Sequence, residues 1–141
     1  VVDASLIQSG LQESWLEKVI TPGCGHSWLR IEGRRPLLIH TEPLIDNEEV
    51  SEFVVCSGKV VQHRLTAPEL RTVQQVSSAA LRHGINKITL RCNIEPDIHP
   101  KIQRKLDSEL KGNEGSKGFM IDLELDRGVG SHSLYVVCKE E

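Results

Sequence analysis

Aromatic side chains are scarce in this sequence: two Trp, two Phe and one Tyr in 141 residues. Sequence-tolerant binding of single-stranded nucleic acid relies on exposed aromatics on which bases stack. With Trp15 assigned to an apolar helical stripe, only Trp28 and Tyr135 remain as stacking platforms. Long apolar runs are also missing. None approaches the roughly 20 residues that a bilayer requires, so no membrane partner is expected. The chain contains no Gly-x-Ser-x-Gly, no phosphate-binding loop, no Gly-x-Gly-x-x-Gly, no His-Glu-x-x-His and no Cys-x-x-Cys. These gaps count against the common hydrolase, nucleotide-binding and redox classes. They leave open an enzyme whose residues converge only in three dimensions.

Cysteine is sparse and scattered. Cys24, Cys56, Cys92 and Cys138 lie far apart, and the last three end the strand-like runs VVC, LRC and VVC. Such cysteines read as small core residues with free thiols. The pattern therefore favours a reducing compartment, intracellular and either cytoplasmic or nuclear. The opening VVDASL has no initiator Met and no signal-peptide features, so the chain reads as a fragment of a longer protein.

What is present is the composition of a globular protein, 38% hydrophobic and 26% charged. The length suits one domain, and one α+β domain spanning 1–141 is the expectation. The net charge of −3 conceals a division. Residues 1–53 hold 4 Lys and Arg against 9 Asp and Glu, residues 54–117 hold 11 against 6, and residues 118–141 hold 2 against 5. A basic middle between acidic ends permits an acidic or nucleic-acid partner, and equally permits compensation between faces of one molecule.

Hydrophobic periodicity places the elements. Residues 4–20 carry an apolar stripe at helical spacing, with Asp3 or Ser5 as cap and Thr21-Pro22-Gly23 as stop. SWLRIE and PLLIHT, joined through Gly33-Arg34-Arg35-Pro36, predict a hairpin, and the acidic segment 42–51 reads as a surface loop. Residues 52–56 and 59–65 read as a second hairpin around Ser57-Gly58. Thr66-Ala67-Pro68-Glu69 matches a capping box, predicting a helix over 67–83 whose buried stripe is Leu70, Val73, Val76, Ala80 and Leu81 and whose left-handed stop is Gly84.

Alternation at 88–94 predicts a half-buried strand, and its separation from the preceding strand by a helix admits a parallel crossover. Pro100 opens a second helix, with Asp97 or His99 as cap and Ile98, Ile102, Leu106 and Leu110 on one face. Residues 119–125 and 134–138 form a last hairpin, with Asp122, Glu124 and Asp126 on a solvated face. The whole predicts an α+β fold: a mixed or antiparallel sheet built largely from hairpins, with about three helices packed on it.

Two clusters could carry chemistry. Cys24-Gly25-His26 places a thiol and an imidazole two residues apart, but a structural zinc takes four ligands and no second pair is spaced to supply them. Activation of Cys24 by His26 or His40 would need a low-pKa environment. Asp122, Glu124 and Asp126 put three carboxylates about 7 Å apart along one strand face, where they could help hold Mg²⁺. The same charges suit a wet strand face protected from edge pairing. Asp46, Glu52 and Lys59 do not fall together on one strand and are set aside. Neither cluster is assigned as a metal or catalytic site, and no cofactor is expected.

The function expected is that of a non-catalytic protein-interaction domain of a larger multi-subunit assembly, docking onto another subunit or a second copy. It rests on the missing signatures and on strands such as VVC, KVV and YVVC, which place apolar residues on both faces and so need cover. The alternative is a nucleic-acid-binding domain of an RNA- or DNA-processing complex that uses the basic segment 54–117. Its candidate phosphate contacts are Arg34, Arg35, Lys59, Arg64, Lys101, Arg104 and Lys105.

Overall fold

The segments 85–90 and 116–126 form an edge strand and a central strand of a four-stranded sheet. A computed structural model describes residues 1–29, 34–45, 48–126 and 131–140, with the side chains of all of these except residues 49–50, 124–126 and 131–133. The described residues show an α+β fold with two sheets, one two-stranded and antiparallel, the other four-stranded and mixed. They divide into two compact units, Val1–Ser57 and Gly58–Glu141.

In the first unit, α1 (Ala4–Gln8) and α2 (Gln12–Val19) replace the single helix expected over 4–20. Gly10, at φ +73°, breaks the run, since that left-handed conformation cannot continue a right-handed helix. Asp3 caps α1 as expected, accepting a hydrogen bond from the Ser5 N–H at 2.9 Å. The hairpin of β1 (His26–Leu29) and β2 (Leu37–His40) forms with Trp28 opposite Leu38. The helix α3 (Glu48–Ser51) lies within the segment expected to be a loop. Val2, Leu6, Trp15 and Val19 make the buried core, with Trp28 and Phe53 packed against it. Trp15 is thus core, as its stripe implied, and its ring centroid lies 6.2 Å from that of Trp28.

The hairpin expected across Ser57-Gly58 does not form. Residues 53–56 pair instead with the first residues of the chain: Val2 bridges Val54, Asp3 N–H donates to Phe53 C=O at 2.8 Å, and Val55 N–H donates to Val1 C=O at 2.9 Å. The strand that follows belongs to the other unit. Gly58 supplies no positive φ there; it is needed because β3 starts so close to the last strand that a Cβ would lie 2.4 Å from the Lys139 carbonyl oxygen.

The second unit runs β3 (Gly58–Leu65), α4 (Val73–Arg82), β4 (Ile85–Leu90), α5 (His99–Leu110), β5 (Ser116–Asp126) and β6 (Ser131–Glu140). The sheet order is β3-β6-β5-β4, with β6 antiparallel to β3 and β5, and β4 parallel to β5. Val73, Val76 and Ala80 from α4, Ile102, Leu106 and Leu110 from α5, and Ile88, Leu90, Met120 and Val137 from the sheet form one core.

The helix expected over 67–83 starts at Val73, because the capping-box groups are used differently. Thr66 donates to Gln75 Oε1 at 2.9 Å, the Glu69 carboxylate binds Arg71, and the Thr72 hydroxyl accepts from Glu69 N–H and donates to Ala67 C=O. Such local side-chain bonds hold the backbone in a turn that competes with the helix. Leu70 and Leu81, expected in the buried stripe, are 44% and 42% exposed. Gly84 does stop the helix, at φ +69°.

The third hairpin forms in register, Phe119 opposite Cys138 and Ile121 opposite Val136. Its turn, residues 127–130, lies outside the described residues. Both faces of these two strands are buried: Phe119, Met120, Ile121, Val136, Val137 and Cys138 are all core. Asp122, expected on a solvated face, is only 6% exposed, and its carboxylate accepts a 3.4 Å hydrogen bond from Asn93 N–H.

Candidate docking edge

Every open sheet has two edges, each with a row of backbone groups that no strand satisfies. In the second unit the two are treated differently. At β4 the outward groups of Ile88 and Leu90 meet α5. Leu90 N–H donates to Gln103 Oε1 at 2.9 Å, Gln103 Nε2 donates to Ile88 C=O at 2.7 Å, and His99 Nε2 lies 3.0 Å from Leu90 C=O. Gln103 Nε2 also donates to Asp107 Oδ1 at 3.0 Å, which orients the amide.

His99, Gln103 and Asp107 recur every four residues beside the apolar row Ile102, Leu106 and Leu110, so one helix presents a polar row to the strand edge and an apolar row to the core. A side-chain amide carries one acceptor and a donor pair, and here it stands in for the peptide group of an absent fifth strand. Sequence reading did not single out Gln103. The signal was the polar i, i+4 row alongside the apolar one.

At β3 the opposite edge is left open. β3 is bonded to β6 on one side, and among the described residues no other backbone or side chain bonds to its own backbone. Val61 and Leu65 are half-buried against the core, whereas Lys59, Val60, His63 and Arg64 are exposed, Val60 by 49%. The pairing with β6 shifts register between Val60 and Gln62 and again between Gln62 and Leu65. Arg64 takes the left-handed conformation at φ +59° that accompanies the second shift. GKVVQHRL contains no acidic residue, so this edge presents cations alone.

The seven candidate phosphate contacts fall in three places. Arg34, half-buried, and the exposed Arg35 precede β2 in the first unit. Lys59 and Arg64 stand on β3. Lys101, Arg104 and Lys105 are exposed along α5, and Lys105 Nζ donates to Leu70 C=O at 2.6 Å. α5 packs beside β4, which is three strand spacings of about 4.8 Å, roughly 14 Å, from β3. The structure therefore brings the α5 trio together, across the sheet from Lys59 and Arg64, which stand five residues apart along β3.

The chain matches no protein-family model, no curated protein and no solved structure. The site must be judged on its geometry.

The other chemical candidates are placed as follows. Cys24 is half-buried, with Sγ 3.3 Å from both Thr41 Oγ1 and Gly25 C=O. The Thr41 hydroxyl holds its thiol below the ordinary value of 9.0. His26 is exposed at the start of β1, opposite His40. Asp122 is buried, and the side chains of Glu124 and Asp126 lie outside the described residues. Among the described residues, no three His, Cys, Asp or Glu side chains gather as a metal-binding group. An open groove of about 470 Å³ in the first unit is lined by Leu11, Ser14, Trp15 and Phe53, with Lys18, Glu48 and Glu52 as its charged groups. No helix among the described residues is long and apolar enough to cross a membrane.

Proposed function

We propose that the chain is a non-catalytic protein-interaction module of a larger assembly, and that it receives an extended segment of a partner along the outer edge of β3. The observation that carries this reading is the contrast between edges: one is closed by a dedicated Gln and His, the other is eight residues long and open. Addition of a strand to such an edge uses main-chain hydrogen bonds for affinity and flanking side chains for selectivity. The apolar surplus that first suggested an interaction role now narrows to this strand. In YVVC, Val136, Val137 and Cys138 are buried, and in VVC so is Cys56, whereas Val60 of KVV remains exposed.

Hydrogen exchange of the protein alone and within its native assembly tests the reading. Outward amides of residues 59–64 that exchange quickly alone and slow in the assembly support it. Unchanged exchange along β3, with protection gained elsewhere, places the interface on another surface.

Nucleic-acid binding is the second reading, favoured by one observation: Lys101, Arg104 and Lys105, at i, i+3 and i+4, share an exposed face of α5. Three phosphate contacts would weaken affinity by roughly the third power of salt concentration. Binding that is indifferent to ionic strength removes this reading.

A further inference from the structure

We infer that the segment received at β3 is acidic; this inference rests on the docking reading above. The strand offers Lys59, His63 and Arg64, all exposed, and no carboxylate. Like charges directly opposite across a strand pair are destabilising, and opposite charges in the same places are stabilising.

These charges attract a strand whose carboxylates fall beside Lys59 and Arg64. Val60, exposed between these cations, gives the incoming strand an apolar contact. The partner chemistry that fits is an extended peptide of β-branched residues with two carboxylates five positions apart, the sequence spacing of Lys59 and Arg64.

The probe is a ten-residue peptide of Val and Thr with two Glu five positions apart, compared with counterparts carrying Gln or Lys in place of both Glu. Binding to the whole 141-residue chain is read by fluorescence anisotropy, and its location by hydrogen exchange. The Glu peptide is expected to protect residues 59–64 and to bind about tenfold more tightly than the Gln peptide, two cross-strand ion pairs each contributing a few-fold. The Lys peptide should bind weakest. Lys59→Glu with Arg64→Glu should reverse the order, and Lys59→Glu alone should reduce the preference by about half of its tenfold range on a logarithmic scale. Unaltered exchange at Leu90 and Met120 in these variants shows that the fold is intact.

Equal protection of β3 by the Glu and Gln peptides overturns the acidic preference and leaves the docking edge standing. Failure of all three peptides to protect β3, although the native assembly does so, overturns the acidic preference alone. Failure of both the peptides and the assembly overturns the docking edge as well.

Discussion

Gln103 occupies the position of a missing neighbour strand for Leu90. The Leu90 N–H donates to its Oε1 at 2.9 Å, and its Nε2 returns a hydrogen bond to the carbonyl of Ile88 at 2.7 Å. An exposed sheet edge templates unwanted pairing. Here a side chain from the crossover between β4 and β5 closes it with the two bonds that a strand would have made.

Replacing Gln103 by Leu leaves a half-buried N–H and C=O without partners while keeping the side chain's bulk. The expected loss is about 1–3 kcal/mol, the usual cost of stranding such groups. Urea denaturation measures it, and faster exchange of the Leu90 amide locates it. An unchanged midpoint would show that water satisfies the edge equally well.

Leu106 and Leu81 separate core from surface among residues of one type. Leu106 is fully buried and Leu81 is 42% exposed. Leu106→Ala should cost about 2–5 kcal/mol through lost burial and the cavity left behind. Leu81→Ala should cost less than about 1 kcal/mol. Equal losses by denaturant titration would return Leu81 to the buried stripe that helical periodicity gave it.

Cys24 should be the most readily alkylated of the four thiols near neutral pH. Cys56, Cys92 and Cys138 are buried, and the hydroxyl of Thr41 lowers the Cys24 pKa and so enlarges its thiolate fraction. Thr41→Val removes that hydrogen bond, and the rate of reaction with iodoacetamide should fall and its pH profile move upward. A rate that ignores position 41 would place the cause elsewhere.

Asp3 links the first unit to acid. Its carboxylate accepts from Ser5 N–H at the start of α1, which holds its pKa below 3.8 in the folded chain. A carboxylate whose folded pKa is depressed contributes stability that is fully present above the unfolded value and is lost as pH falls through the folded one. The gap in melting temperature between the wild type and Asp3→Ala should therefore be open at pH 7 and close as pH falls below 3.8. A gap that persists in acid would mean that the cap works without its charge.

Local physics was legible in the sequence. The stripe Ile102, Leu106 and Leu110, Pro100 in the first turn, the stop at Gly84 and the pairing of 119–125 with 134–138 all depend on a few neighbouring residues, and each is found where that chemistry puts it. Thr66-Ala67-Pro68-Glu69 shows the limit of such reasoning. Thr72 supplies a second hydroxyl within reach of the same backbone, and two local solutions of similar energy are not separable from composition.

The sequence by itself determined where most of the longer helices and strands run, and that the class is α+β. Tertiary structure alone decided which strand meets which. Residues 52–56 have the better local partner in 59–65, yet they pair with Val1–Asp3, and β3 pairs with a strand some seventy residues later. Closing a longer loop costs little extra, because the entropy grows only as the logarithm of its length, whereas the choice of neighbour decides which faces are buried. That choice buries Asp122, closes the edge of β4 with Gln103 and leaves β3 open beside Lys59 and Arg64.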